Sequence, residues 1–465
     1  MLTREQANDI FERLRKSSSC DELELLIGGG ASALTRFANN GITQNVAEEN
    51  YSLSVRVNLD GRTARATTNK IDDEGLRRVV TQAQALATVQ QKDPDLLPLP
   101  TPQEVAQHAN GVPVEARTRY HEATAAISAA DRAVQVERMV AVAKNRGYTA
   151  AGTYASGRHV EGLFNSRGVS QWHQQTTAEA SITMIAENSS GWQKANSTNA
   201  SDFDSSTLAE IAAEKARLSA NPKEVPAGKY TVILEPAAVL DIVGFMFWDY
   251  SGLALLDQRS FLNNRIGTKL FGEQVNIYDD VYHPLQSGPA FDGEGMVRRR
   301  VPLVENGVPL RVTYSRASAA VMKNSDLASQ VGPIEVTGHG FPLPNEMGEA
   351  PINIVFAPPQ SPETVDEMIN KTERGILVTR LWYIREVDPY EKILTGMTRD
   401  GTFLVENGAV KHGVRNFRFN EGLIHMLSHV EAMSMPVRAS GEESFDMVVP
   451  ALKVHGFNFT EVTKF

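Results

Sequence analysis

The spacing of apolar and polar positions changes period several times along the chain. The opening stretch MLTREQANDIFERLRK is charged and amphipathic, with Thr3 placed as its N-cap, and predicts a helix. From about residue 22 to 68 the pattern alternates instead. LELLIGGG, ALTRFANNGITQNVAEEN and YSLSVRVNLDGRTARATT read as strands turning at Asn-Gly and Asp-Gly. Within this stretch IGGGAS (27–32) is expected to form a tight turn. Residues 72–87 return to a helical period, 90–105 are proline-rich and irregular, and 117–145 predict one or two helices. A second β-meander is expected from about 148 to 197, turning at NSRG and ENSSG. Residues 206–219 are helical, and NPKEVPAG (221–228) reads as a linker.

The second half opens with the strand KYTVILE and a helix that starts at Pro236, a favourable first helical position. Residues 239–248 are nearly all apolar, so this helix is expected to be buried on most sides. Loops and β-structure follow, with a late helix expected over 420–433. LVENGVPL (303–310) and LVENGAVK (404–411) each predict a hairpin on an Asn-Gly turn. Little else matches around them, which favours a shared turn type over two similar layers of one domain. The pattern as a whole predicts an α+β protein of two domains. Residues 1–225 form an N-terminal domain of β-meanders and helices, and 226–465 a C-terminal β-rich domain with a few helices.

Composition narrows the function classes. With 42% hydrophobic and 22% charged residues, the 465-residue chain has ample material for a core. A net charge of −10 argues against a general nucleic-acid binder. The one tight basic run, Arg298, Arg299 and Arg300, is expected at a solvated strand end. Cys20 is the single cysteine, which excludes an internal disulfide and cysteine-rich zinc sites. Asp21 and Glu22 beside it speak against a nucleophilic thiol. The N-terminus has no apolar signal core and no run is long enough to span a membrane, so a cytoplasmic protein is expected.

Familiar catalytic motifs are missing. There is no Walker loop, no G-x-G-x-x-G opening a helix and no G-x-S-x-G elbow. His425 and His429 share a helical face at i,i+4, as a metal pair requires, but the sequence HMLSH lacks the glutamate of H-E-x-x-H. Asp279, Asp280, Asp292 and Glu294 offer oxygen ligands, although Asp-Gly turn chemistry explains them more simply.

Three stretches together resemble the TldD/PmbA family. They are LFNSRGVSQWHQQTTAEASITMIAENSSGWQ, FDGEGMVRRRVPLVENGVPLRVTYSRASAA, and ERGILVTRLWYIREVDPYEKILTGMTRDGTFLVENGAVKHGVRNFRFNEGLIHML. The resemblance covers most of the chain. It implies a protein of metallopeptidase type, once called a modulator of DNA gyrase, acting on peptides and unfolded small proteins. The TldD kind of subunit carries H-E-x-x-x-H on a helix after a strand, with a late cysteine completing a zinc site. The TldE/PmbA kind lacks these ligands and pairs with the first. Placed on that motif, this chain has Leu240 and Phe245 at the two histidine positions, Asp241 at the glutamate and Gly244 retained.

Leucine and phenylalanine have no donor atom for Zn²⁺. Residues i and i+5 do not share a face of a regular helix, so the family site implies an irregular turn there. The resemblance therefore implies a non-catalytic, cytoplasmic TldE/PmbA-type subunit without a cofactor, the zinc residing on a TldD-type partner in a heterodimer. A homodimer stays open. The alternatives are an autonomous peptidase with its metal elsewhere, using His339, His425 or His429, and a peptide-binding module without proteolysis. Exposed strand edges near Val304, Arg311 and Thr313, or near Thr379 and Arg385, are candidates for holding an extended peptide.

Overall fold

The structure, a computed structural model, describes residues 1–112 and 118–463. The two meanders join into one sheet. Strands β1 (Glu22–Ala38), β2 (Gly41–Leu59) and β3 (Arg62–Thr68) form the first meander. Strands β4 (Thr149–Asn165), β5 (Ser170–Ile185) and β6 (Ser190–Ser197) form the second. Antiparallel pairing of β1 with β4 gives the order β3-β2-β1-β4-β5-β6.

Helices cover one face of this sheet. Helix α1 (Arg4–Lys16), capped by Thr3 as expected, and α2 (Asp73–Val89) bury Phe11 and Val80 against Leu25 and Val55. Further along come α3 (Pro102–His108), α4 (Glu122–Ala125), α5 (Ala129–Arg146) and α6 (Ser205–Leu218). Of these, α5 and α6 bury Met139, Ala143 and Ala212 against Ile182 and Met184. Arg117, where the helical stretch 117–145 was expected to begin, lies outside the described residues. On the opposite face Leu163 and Val169 pack against Phe291 and Met296 of the C-terminal half.

In the C-terminal half β7 (Gly228–Leu234) leads directly into α7 (Pro236–Val243). The later strands are β8 (Ile277–Asp279), β9 (Val301–Glu305), β10 (Val308–Pro309), β11 (Ile354–Phe356), β12 (Arg374–Asp388), β13 (Ile393–Glu406), β14 (Ala409–Gly413), β15 (Phe417–Gly422), β16 (Val430–Met433), β17 (Val437–Ala439), β18 (Met447–Val449) and β19 (Leu452–Val462). The order β12-β7-β19-β15-β13, with β13 pairing back onto β12, closes a ring of strands. A second sheet runs β10-β9-β8-β11-β18-β17. Helix α7 contacts both, and Leu234, Leu240, Phe247, Ile376 and Val449 belong to one core. The architecture is mixed α+β, with two sheets and few helices in the second half.

Local expectations failed in three places. IGGGAS is not a turn; residues 28–30 lie inside β1, where Gly29 and Gly30 take φ of +133° and +152°. A Cβ there would meet Asn50 O at 2.2 Å and Arg158 O at 2.0 Å, so the glycines let the flanking strands close in. The stretch 420–433 is not one helix. β15 continues to Gly422, a short helix spans Leu423–Ser428, and residues 430–433 pair with β19 as β16. Arg298 is not solvated; it is buried and donates to Asn353 Oδ1 at 2.5 Å. The two ENG hairpins form as expected, with positive φ at Asn306, Gly307, Asn407 and Gly408, but in different sheets.

Candidate functional site

The strand-to-helix junction at Pro236 places the aligned positions in the core between the two C-terminal sheets. Regular α-helix ends at Val243, and residues 244–249 continue as 3₁₀-helix. The helical period therefore changes between Leu240 and Phe245, so this stretch is irregular, although a 3₁₀ turn does not by itself bring i and i+5 onto one face. Leu240 is fully buried and Phe245 packs half-buried against the same core. Neither side chain can ligate zinc, so these residues do not fit the metal that the family motif holds.

Asp241 is 1% exposed. Its Oδ1 accepts the backbone N–H groups of Glu442 (3.1 Å) and Glu443 (3.0 Å), while Oδ2 has no partner. Burial pushes its pKa up to about 7, against the pull of those two amides. The loop 440–446 thus clamps the helix. A Cβ on Gly441 would fall 2.2 Å from Asp241 Oδ1, and one on Gly244 would fall 1.9 Å from Ser444 Oγ. The same loop reaches the first sheet, where Lys194 Nζ donates to Gly441 O (3.3 Å) and Asn196 to Ser440 Oγ (3.1 Å). It also reaches β12, where Glu443 accepts the N–H of Tyr383 at 2.7 Å.

The other candidates are structural. His425 and His429 stack 4.2 Å apart, with His425 Nδ1 2.7 Å from Glu421 Oε1 and His429 Nδ1 turned back to His425 O. His339 is buried with Nε2 2.9 Å from Asp279 Oδ1, and Asp279 Oδ2 accepts the N–H groups of Ile352 and Asn353. Asp280 caps the turn to Tyr282, and Asp292 accepts three backbone N–H groups, those of Glu294, Met296 and Gly340. Cys20 lies beside Ser18, and burial raises its pKa, with the charges of Asp21 and Glu22 adding to the shift. Among the described residues no three His, Cys, Asp or Glu side chains converge as a metal site.

Glu294 is strongly perturbed. Burial and then the charge of Asp292 push its pKa up to about 8 from an ordinary 4.5. The folded state therefore binds more protons than the unfolded state between those values, and stability falls as pH rises through that window. Asp241 adds the same sign up to about 7. Glu294→Gln still offers an oxygen to the Arg316 N–H that Glu294 now accepts at 2.8 Å. The variant is expected to melt above wild type near pH 8.5 and close to it near pH 5, as thermal unfolding across pH will show.

Most of the proposed peptide positions are interior. Val304 is buried on β9, which pairs on both sides with β8 and β10. Thr313 is fully buried and donates to Tyr250 O, and Thr379 is buried on β12 with its hydroxyl on Gly401 O. Arg311 is ion-paired with Glu335. Arg385 alone is open, lying over the Tyr383 ring with Glu443 at 3.7 Å. The open edge lies elsewhere. β3 pairs only with residues 53–59 of β2, so residues 41–52 keep a free edge and are almost all exposed.

Sequence reading missed a cleft between the first sheet and the C-terminal half. The cleft has a volume of about 750 Å³, with Glu161, Trp248, Arg298 and Phe341 among its walls. It meets a second cavity of about 800 Å³ over β1 and β2, the two sharing Gln175, Ser287, Arg438 and Asp446. The available signal was local: His159 and Glu161 flank the buried Val160 on β4.

The chain as a whole superposes on solved structures. TldE from Thermococcus kodakarensis superposes with a TM-score of 0.83 at 18% identity, over 98% of this chain and 100% of that one. A Thermotoga maritima protein described as a candidate modulator of a DNA gyrase gives 0.81 at 19% identity, over 98% and 100%. A similarly described protein from Bacteroides thetaiotaomicron gives 0.80 at 20% identity, over 99% and 100%. At these identities the likeness defines the fold.

The sequence itself goes further. Residues 23–87 match PmbA/TldA metallopeptidase domain 1, 107–220 the central domain and 227–461 the C-terminal domain. The chain belongs to the PmbA/TldD family. An uncharacterized protein of Methanocaldococcus jannaschii is 31% identical over 155 residues, 33% of this chain and 36% of that protein. The match thus spans about a third of that relative's length. Among the described residues no helix is long and apolar enough to cross a membrane.

Proposed function

We propose that this chain is a zinc-less, TldE/PmbA-type subunit that pairs with a zinc-bearing TldD-type chain and helps to hold peptides for it. One observation carries the reading. The helix positions that bear the zinc ligands in the TldD kind are filled here by Leu240 and Phe245, and the intervening carboxylate, Asp241, is consumed in clamping the loop 440–446. Without a metal-bound water beside it, Asp241 has no nucleophile to activate. Its pKa follows from burial and is no mark of catalysis. The autonomous-peptidase reading has no comparable support, since His339 is locked to Asp279, His425 is held by Glu421, and His429 is turned to Ser428 and the His425 carbonyl.

Co-expression with a family member that carries H-E-x-x-x-H tests the pairing. The two chains are expected to co-purify. The complex is expected to cleave flexible peptides until a chelator removes its zinc, while the isolated chain cleaves none. Separate elution of the two chains at micromolar concentration would count against pairing. Chelator-sensitive cleavage by the isolated chain would count against a non-catalytic role.

A further inference from the structure

We propose that the cleft beneath Trp248 takes an extended peptide and that Glu161 receives a cationic side chain of that peptide, lysine or arginine. The assignment rests on the reading of this chain as a peptide-holding subunit and names what it selects.

Glu161 lies on β4, on the face of the sheet turned toward the C-terminal half, opposite His173 of β5. It makes no hydrogen bond and no ion pair with any described residue. Its side chain keeps contact with solvent, yet the surrounding protein strips enough water to raise its pKa, with Arg298 opposing the shift. Arg298 is a shared counter-ion, because its charge also acts on the buried Asp279 and Asp292 while its guanidinium donates to Asn353. His173 is neutral near pH 7, since burial lowers its pKa while its Nε2 sits 3.1 Å from Gln175 Oε1. A carboxylate that lines a cleft and has no hydrogen-bonded partner favours an incoming cation, and the hydrogen bonds it forms are charge-assisted.

The rest of the cleft suits the stem of such a side chain. Trp248 is 46% exposed although it directly follows the buried Phe247, and its ring stands 6.2 Å from that of Phe341. Both line the cavity that holds Glu161. An aliphatic stem can lie along these rings with its charge at the carboxylate.

Length argues for a peptide. The cleft and the adjoining cavity, about 750 and 800 Å³, run together past the size that a single small ligand fills. The second cavity ends on Gln44, Val46 and Glu48 of β2, in the stretch whose backbone edge is unpaired and can add a strand.

The test uses the full chain alone and three fluorescent peptides of one Ala/Ser/Gly sequence. The first has both ends blocked and a central lysine. The second replaces that lysine with norleucine, and the third is the norleucine peptide with a free amino terminus. Fluorescence anisotropy is expected to show the lysine peptide binding about tenfold or more tightly than either other. Glu161→Gln is expected to erase that difference without lowering the melting temperature, because Glu161 has no partner to lose. Trp248→Ala is expected to weaken all three peptides alike.

Equal affinities for wild type, absence of binding included, overturn the assignment. So does a lysine preference that survives Glu161→Gln, or a gain confined to the free-amine peptide. No partner chain enters the assay, so these outcomes bear on Glu161, whereas failed co-purification bears on the pairing.

Discussion

Leu240→Ala is expected to lower the free energy of unfolding by about 3 kcal/mol or more, one of the largest single effects in the chain. Leu240 is fully buried where α7 meets both C-terminal sheets, and its neighbours include Gly441 of the clamping loop, which has no side chain to move into a void. Leucine-to-alanine changes at such positions cost the lost transfer energy plus a cavity term. Leu240→His should fare no better, because it buries an imidazole among apolar neighbours without a partner. Urea denaturation of both variants measures the loss. A change below about 1 kcal/mol for alanine would mean that this position is not sealed core, and the structural role given to the helix would fail with it.

The second large effect is expected at His339. Its imidazole and Asp279 are both fully buried, 2.9 Å apart. Burial alone would raise the Asp279 pKa; the charge and hydrogen bond of His339 instead hold it below the ordinary 3.8. Removing one member of a buried pair strands the other, typically at a cost of about 3–5 kcal/mol. His339→Ala should show a loss of that order near neutral pH. For a carboxyl held below its ordinary value, the contribution is present above the unfolded pKa and lost as pH falls through the folded one. The wild-type advantage over His339→Ala should therefore persist to about pH 4 and shrink only below it. Equal stability of the two proteins at neutral pH would show that Asp279 is held by its backbone donors alone.

What the sequence revealed was mostly local. α1 with its Thr3 cap, the Asn-Gly hairpins and the strand KYTVILE running into Pro236 depend on neighbours in the chain, and each formed as expected. The union of the two meanders depends on β1 meeting β4, a pairing between residues over a hundred positions apart. Alternation within a strand says which residues share a face but not which strand comes beside it. The same limit hid the loop 440–446, whose residues have little pattern of their own and gain meaning from Asp241 two hundred positions earlier. It hid the cleft too, because Glu161 and Trp248 become neighbours of one cavity when the halves dock. The motif at 240–245 was legible because a departure from a ligand set can be read residue by residue. An irregular turn was expected from that spacing, and the helix does change to 3₁₀ at Gly244.

Misread stretches share a cause. The late helix expected over 420–433 has helical spacing for its centre, but strand pairing claims both ends: β15 on one side and β16, paired with β19, on the other. Tertiary hydrogen bonds outweigh a weak local preference there. The glycines of IGGGAS signalled unusual backbone correctly, yet the cause is close strand packing and not a reversal of the chain.

Zinc content of the purified, untagged chain, measured by elemental analysis, tests the central claim most directly. A zinc site tight enough to serve a peptidase survives purification. With Leu240 and Phe245 in place of ligands, the chain alone is expected to carry well under about 0.1 equivalent, and the zinc of a purified complex should match the TldD-type chain alone. About one equivalent on the isolated chain would contradict the zinc-less subunit.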